Sequence, residues 1–308
     1  MTKKIASLFL CLVCATTSAR AAFQLPYASP ESSALAGASM TRSRDSSSLF
    51  VNPAQLADTP SFDMYFMHNQ MYAGMQGVGS IGQSFLSAAT PSRYGTFGFG
   101  VGTFQAAGLM EERTIALTYA RQLGERVSVG VTGKQLYHGF KSAGDPLANN
   151  DPVFNNGRGK SAFALDLGIT AKATERLRFG FAVRNLNQPD VGLAVQDRVP
   201  REMQAGAAYD FAQYRGLTLL TDVTYREDPS LPAGERLVPG VGLEKRLANN
   251  KFAFRVGVTP LEFTAGFGLN WGILGLDYAL ILRRTLIEGS VGTHMLGLRV
   301  RFGPGEAR

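Results

Sequence analysis

Apolar and polar residues alternate with a period of two along most of the chain from residue 62 onward. In a representative stretch, Leu177, Phe179 and Phe181 alternate with Arg178 and Gly180. Such alternation indicates β-strands that have one apolar face and one face of small, polar or charged residues. The same pattern is clear in the further segments 163–170, 252–258, 263–271, 274–283 and 296–302.

The length and chemistry of these segments distinguish two β architectures. A soluble β-sandwich shows the same alternation, but it buries its large side chains and places Lys and Glu outside. Here the segments run to about ten residues, the length that crosses a membrane as a tilted strand. Bulky Phe, Leu, Val and Tyr residues share one face, and Gly, Ala, Thr, Asn and charged residues share the other. We therefore predict an all-β fold, a transmembrane antiparallel β-barrel whose small and polar face encloses the lumen.

The alternation predicts about 14 strands. Connections after even-numbered strands are short, as at 122–124, whereas several connections after odd-numbered strands are longer and polar, as at 141–160. This asymmetry is typical of barrels with short periplasmic turns and longer outer loops. The sequence leaves the register of the second and fourth strands open. The predicted strands are 62–71, 75–89, 94–106, 111–121, 125–140, 161–171, 175–187, 201–210, 216–226, 235–247, 251–258, 262–271, 273–284 and 291–302.

The first 21 residues have the features of a secretory signal peptide. Lys3 and Lys4 form a basic start, and 5–16 is an apolar stretch too short to span a bilayer. Ala19 and Ala21 then supply the small residues that precede a cleavage site. We therefore expect cleavage after Ala21 and export from the cytoplasm.

Removal of the signal peptide would change both the number of cysteines and the net charge of the chain. Cys11 and Cys14 leave with the signal, so the mature chain has no cysteine and cannot be a small disulfide scaffold. Removing Lys3, Lys4 and Arg20 reduces 31 basic residues to 28 against 24 acidic ones, so the net charge falls from +7 to +4. A nucleic-acid partner is therefore not expected. No later stretch approaches about 20 apolar residues, so no transmembrane helix is expected.

The segment 22–61 does not alternate. Within it, Asn52 can cap a short helix, and Pro53 suits the first helical turn. The stretch ALAGASMTRSRDSSSLFVNPAQLA, residues 34–57, resembles the N-terminal signature of the FadL-type outer-membrane channels and of the related PorV-like secretion proteins. The C-terminal stretch 274–302 resembles the closing hairpin of the same superfamily.

The resemblance implies a hatch folded inside the barrel and anchored at the Asn52–Pro53 turn. Glycine-rich inward positions such as Gly98 and Gly266 support this, because missing side chains let another backbone or a ligand come close. The alternative is that these glycines only relieve sheet curvature. The predicted division is a signal peptide at 1–21, a hatch at 22–61, a barrel at 62–302 and a short tail at 303–308. The residues of the hatch motif and candidate ligand pocket are Phe50, Asn52, Pro53, Ala54 and Leu56.

Charged residues on the inward face form a second candidate set. Isolated charges inside a low-dielectric wall are costly, so we expect them to pair across strands or with the hatch. The functional alternative is a basic lining that guides a carboxylate ligand. The charges concerned are Asp166, Arg178, Arg184, Asp222, Arg255, Asp277 and Arg283.

No residue pattern points to catalysis. The stretch 77–82 matches G-x-G-x-x-G, but it lies in a predicted strand, where it cannot open a helix toward a phosphate. The three histidines, His68, His138 and His294, lack metal-ligand spacing. We expect no cofactor, no metal and no enzyme activity.

Two functions remain. The leading hypothesis is a bacterial outer-membrane barrel that binds or transports a fatty-acid-like or other hydrophobic molecule. The alternative is a PorV-like interaction protein that receives or shuttles secreted proteins at the cell surface, which the short outer loops favour. The expected partners are outer-membrane lipid together with such a ligand or secretion-system proteins. The sequence does not fix the ligand, the transport direction or the oligomeric state.

Overall fold

The chain forms a closed barrel of 14 antiparallel strands in a computed structural model. Each strand pairs with its neighbours in sequence, and pairing of the first strand with the last closes the ring. The structure describes residues 23, 29–42, 45–74, 81–141, 151–155, 157–285 and 290–303. The predicted fold class and strand number are confirmed. The predicted signal peptide lies outside the described residues.

The strands match the predicted segments to within a few residues at nearly every end. They are β1 Phe62–Met71, β2 Ile81–Ser92, β3 Gly95–Ala106, β4 Met110–Leu123, β5 Val127–Phe140, β6 Gly159–Lys172, β7 Leu177–Arg184, β8 Glu202–Asp210, β9 Leu217–Arg226, β10 Leu237–Leu247, β11 Phe252–Val258, β12 Glu262–Trp271, β13 Leu274–Arg283 and β14 Thr293–Phe302. Two short α-helices, α1 Pro30–Ala34 and α2 Ala233–Arg236, and 3₁₀ turns at Ser46–Phe50, Pro53–Asp58 and Pro152–Phe154 complete the described secondary structure.

The second strand can be compared with its prediction only from residue 81. Its described part begins at Ile81, and the predicted start at 75–80 falls outside the described residues. It also extends past the predicted end, to Ser92, because its hairpin with β3 is very tight. Gly95 has a φ of +141°, a conformation that residues with side chains rarely adopt. The sequence pattern could not locate this turn, because Pro91 and Ser92 look like turn residues.

The two faces of the wall have the chemistry expected of a membrane barrel. In β1, Phe62, Met64 and Phe66 are exposed on the outside, whereas Asp63 and Tyr65 are buried inside. The same division holds around the ring, so the outer surface is a continuous apolar band. Such a band is stable in lipid and not in water. Across the described ranges, no helix has the length and apolar character of a membrane span.

The N-terminal segment, described at 29–42 and 45–59, lies in the lumen. Helix α1 packs against β12 and β13, and the turn Pro53–Asp58 packs against β4, β5 and β6. Inward-facing glycines lie against this segment on strands all round the ring. If a Cβ atom were added to one of them, it would clash with an atom of the segment. Such contacts link Gly98 to Leu56, Gly130 to Pro53, Gly180 to Met40, Gly242 to Leu35, Gly266 to Ala34 and Gly297 to Pro30. Six strands spread around a closed barrel therefore enclose the segment.

Side-chain caps start each short helical element of this segment. The Ser29 hydroxyl accepts a hydrogen bond from Ser32 N at the start of α1. Asp45 and Asn52 accept bonds from the amides of Ser47 and Ala54 at the two 3₁₀ turns. These caps satisfy amides that have no partner within so short a helix. The three caps therefore reduce the cost of burying the segment in the lumen.

We expect Gly130→Ala to destabilise the barrel by about 1–3 kcal/mol, because an added methyl overpacks the lumen. Its Cβ would lie 2.5 Å from Ala54 N and 2.6 Å from Pro53 O, which are backbone atoms of a buried turn. Gly133→Ala on the same strand is the matched control, since its Cβ meets nothing within 4 Å. Denaturant titration of the refolded barrel in detergent measures both. Equal stabilities for the two variants would contradict close packing at Gly130.

Candidate functional site

Asn52 is the structural centre of the predicted hatch motif. Its side-chain oxygen accepts from Ala54 N at 3.1 Å, and its amide nitrogen donates to Met40 O at 3.0 Å and to Ile169 O at 3.3 Å. The residue is fully buried. One side chain thus joins two parts of the N-terminal segment to strand β6. Its polar atoms are used for anchoring and face no cavity.

The other motif residues divide between packing and cavity lining. Leu56 and Ala54 are fully buried, and Leu56 packs with Leu49 against Ala116. Phe50 packs against Phe85, with ring centroids 4.4 Å apart. Of the five predicted pocket residues, only Phe50 lines the main described cavity; Asn52, Pro53, Ala54 and Leu56 do not.

Arg255 is the hub of a buried ion-pair network. From β11, its guanidinium contacts Glu244 Oε2 at 2.9 Å and Asp277 Oδ1 at 2.7 Å, on the neighbouring parts of the wall. It also lies 3.5 Å from Glu31 Oε2 in the N-terminal segment. Arg42 of the same segment contacts Glu244 Oε1 at 2.6 Å. The network therefore ties the segment to the wall from two directions.

A second set of contacts holds the middle of the segment. Asp222 accepts from the amides of Ser39 and Met40, each at 2.9 Å, and from Gln204 Nε2 at 3.0 Å. Arg184 donates to Val51 O at 2.9 Å and pairs with Glu202. These bonds use wall charges to satisfy backbone groups of the lumen segment, so the charges are partnered without any ligand.

The remaining predicted charges pair within the wall or lie at its edge. Asp166 contacts Lys134 at 2.8 Å and accepts from Asn185 N at 2.8 Å. Arg178 contacts Asp210 Oδ2 at 2.8 Å. Arg283 is exposed at the end of β13, where it stands opposite Glu262 in the strand register. The described contacts therefore favour structural pairing over a continuous basic lining.

Asp45 is the most perturbed acid of the segment. Burial, reinforced by the nearby carboxylates of Asp63 and Glu31, raises the pKa of Asp45 to about 7. The nearby Arg299 and the hydrogen bond from Ser47 act in the opposite direction. Burial and the neighbouring carboxylates thus disfavour the charged form of this capping side chain.

A cavity of about 290 Å³ lies between the segment and the end of the barrel that carries the longer connections. Its lining is mixed. Apolar surface comes from Phe50, Val51, Phe85, Leu136, Leu231, Val238 and Leu261. Charged side chains also line it, and they include Lys134, Arg184, Glu202, Asp222, Arg226 and Glu262. The cavity is therefore a vestibule in which charged groups stand among apolar ones.

Comparison with known proteins gives the family. A model of the type IX secretion system membrane proteins PorP/SprF matches residues 45–300. The chain belongs to the PorP/SprF family. The matched range includes the second half of the N-terminal segment and nearly the whole of the PorP/SprF barrel. No curated protein matches the chain.

Solved structures place the PorP/SprF chain in the FadL-like fold. It is similar to TbuX, a toluene transporter of Ralstonia pickettii, at 15% identity over 91% of this chain and 100% of that one, with a TM-score of 0.66. It is also similar to the monoaromatic hydrocarbon channel CymD, at 15% identity, 91% and 99% coverage and a TM-score of 0.64. A Pseudomonas aeruginosa FadL homologue gives 14% identity, 92% and 100% coverage and a TM-score of 0.61. These identities show the fold alone. The predicted resemblance is confirmed in that the fold is FadL-like and the family is a secretion-associated one.

The sequence did not predict which residues of the N-terminal segment take part in the ion-pair network. They are Glu31 and Arg42. Glu31 lies in a stretch without alternation, where parity cannot tell inward from outward residues. Arg42 lies in the same stretch, so its partner could not be assigned either. The inward-facing partners on the wall are Glu244 for Arg42 and Arg255 for Glu31.

We expect Arg255→Met to lower the free energy of unfolding by about 3–5 kcal/mol, because it removes one member of a buried ion-pair network. Asp277 would lose the guanidinium that contacts it, while the methionine keeps much of the packing volume. Arg113→Met is the control, since Arg113 pairs with Glu111 on the exposed face of β4. Denaturant titration in detergent measures both. A loss no greater than that of Arg113→Met would show that the network does not hold the fold.

Proposed function

We propose that the chain is an outer-membrane component of the type IX secretion system that acts as a closed barrel on which a protein partner docks. The proposal combines the family membership with the filled lumen. It favours the interaction role over passage of a hydrophobic molecule. The barrel would supply an anchor in the membrane, and its loop-bearing end would supply the contact surface.

The chemistry of the vestibule is the observation that carries this proposal. Pockets for hydrophobic ligands are lined mainly by apolar and aromatic side chains with few polar groups. Here Arg184, Glu202, Asp222 and Arg226 surround the cavity, and their contacts fix them as a polar network. A hydrocarbon entering this space would strip water from charged groups without replacing their partners.

The long connection 185–201 supports a contact role at the same end. It is held in place by hydrogen bonds from Asn187, whose side chain donates to Phe163 O and accepts from Leu165 N on the edge of β6. Val191 and Val199 anchor it from within, where they are fully buried. A connection fixed in this way presents a preorganised surface, which lowers the entropy cost of binding a partner.

Binding of a hydrophobic molecule is the second candidate. It is favoured by the apolar part of the vestibule lining, which includes the Phe50–Phe85 pair and Leu136. The names of the solved relatives TbuX and CymD describe them as a toluene transporter and a monoaromatic hydrocarbon channel. On this account the ligand would lie beside Phe50.

In both roles we propose that residues 22–61 act as the hatch. The contacts of Asn52, Glu31 and Arg42 support this, because each joins the segment to the wall. A lumen crossed by this segment would pass little current while those contacts hold. The division into a signal at 1–21, a barrel at 62–302 and a tail at 303–308 completes the proposed organisation.

We expect Asn52→Ala to raise the conductance of the barrel in planar lipid bilayers by roughly tenfold or more. The change removes a helix cap and two hydrogen bonds that hold the segment, which shifts the population toward an open lumen. Asn69→Ala is the matched control, because Asn69 also faces inward and its side-chain oxygen has no hydrogen-bond partner in the described part of the chain. Conductance that stays unchanged in Asn52→Ala would reject the hatch.

Two measurements separate the proposed function from the second candidate. We expect deletion of the gene, in a bacterium with type IX secretion, to reduce the secretion of surface proteins, and re-expression to restore it. We also expect liposomes carrying the barrel to take up toluene no faster than empty liposomes. Normal secretion after deletion, together with saturable toluene uptake, would favour the channel and refute the docking role.

A further inference from the structure

Phe23 lies in the lumen beside a buried carboxylate. Its backbone N–H donates to Glu112 Oε1 at 2.9 Å, and His138 Nδ1 lies 3.3 Å from the same oxygen. The rings of Phe23 and His138 are 6.3 Å apart. Phe23 also packs against a buried cluster that includes Leu136 and Val191. The chain close to the predicted cleavage site is thus held against the inner wall.

The surroundings of Phe23 offer more acceptors than these two bonds use. Glu112 is 4% exposed, and both of its bonds end on the same oxygen. Gln83 is 1% exposed, and neither atom of its side-chain amide has a hydrogen-bond partner in the part of the chain that the structure describes. Phe23, Gln83 and Glu112 line one small crevice. A buried carboxylate and a buried orphan amide together favour a cationic donor.

We propose that Glu112, with Gln83 and His138, forms a receptor for the α-ammonium group that signal-peptide cleavage creates. Hydrolysis of the bond between Ala21 and Ala22 consumes one water and leaves a carboxyl group on Ala21 and an amino group on Ala22. At pH 7 that amino group holds a proton, because its ordinary pKa is about 7.7–8.0. The new charge arises one residue from the Phe23 amide, within reach of Glu112.

Cleavage of the signal peptide then supplies the charged partner for Glu112 in the lumen. Before cleavage, this part of the chain carries a neutral peptide group and continues into the signal. After cleavage, the ammonium pairs with a carboxylate that the barrel wall has already buried, and charge-assisted hydrogen bonds of this kind are the strong ones. The inference rests on the predicted signal peptide. It does not depend on the secretion or transport role, because it concerns only how the N-terminus of the mature chain is bound.

The experiment measures how well the folded barrel protects its own N-terminal amine. The precursor is expressed in a Gram-negative host, and the barrel is purified from the outer membrane in detergent. Mass spectrometry identifies the first residue, which we expect to be Ala22. The protein is then treated with an amine-reactive acetylating reagent at neutral pH, and acetylation of the N-terminal peptide is followed with time. We expect the wild-type amine to react at least about tenfold more slowly when folded than when denatured.

Two variants make the assignment specific. Glu112→Gln keeps the bond to the Phe23 amide but removes the charge, so we expect the folded amine to react about tenfold faster than in wild type. Glu111→Gln is the matched control, because Glu111 is the next residue and pairs with Arg113 and Lys141 on the outer face. Heat-modifiable migration in electrophoresis confirms that each variant is folded.

Three outcomes overturn the proposal. The first is a mature chain that starts at a residue other than Ala22. The second is a wild-type amine that reacts as fast in the folded barrel as in the denatured one, a test that needs no variant to fold. The third is a Glu112→Gln barrel that folds and protects its amine as well as Glu111→Gln does.

Discussion

Arg255 and its carboxylate partners are the interaction on which the rest of the structure depends. Lipid surrounds the middle of the barrel, so a charge in the middle of a spanning strand must turn inward, and a charge turned inward must find a partner. Arg255 has three such partners. They are Glu244 and Asp277 on the wall and Glu31 on the N-terminal segment. The N-terminal segment therefore supplies part of the charge pairing that stabilises the polar side of the wall.

Filling the lumen in this way determines what the barrel can do. The segment occupies the middle of the ring and leaves a vestibule of about 290 Å³ at the end with the longer connections. Part of the vestibule lining is charged, because Arg184 and Arg226 each pair with Glu202 at the strand ends. The ion pairs that hold the segment also bring charged groups into the remaining cavity, and a hydrocarbon there would strip water from them. On this ground we propose that the FadL-like fold of this chain serves docking and not passage of a small molecule.

The sequence predicts the wall much better than its contents. Alternation places strand ends such as Phe62 and Trp271 correctly, because one residue of error would turn every side chain to the wrong face. The same parity places Asp222 and Arg255 inside. Alternation gives no information about segment 22–61, so it could not predict the role of Glu31. The motif residue Asn52 was predicted to line a ligand pocket, but its side chain binds backbone carbonyl groups. The contacts of Asn52 with Ile169 and of Glu31 with Arg255 join residues more than a hundred positions apart, and only the closed ring brings them together.

Hydrogen–deuterium exchange of the folded barrel tests the central claim most directly, because amides exchange quickly unless they are buried and bonded. Mass spectrometry resolves peptides that cover residues 29–59 and compares them with peptides from β5 and from the exposed turn at 211–216. The account predicts that the N-terminal segment exchanges as slowly as β5, over hours. Exchange of the segment as fast as the exposed turn would show that the lumen is open and that the ion-pair network does not hold its contents.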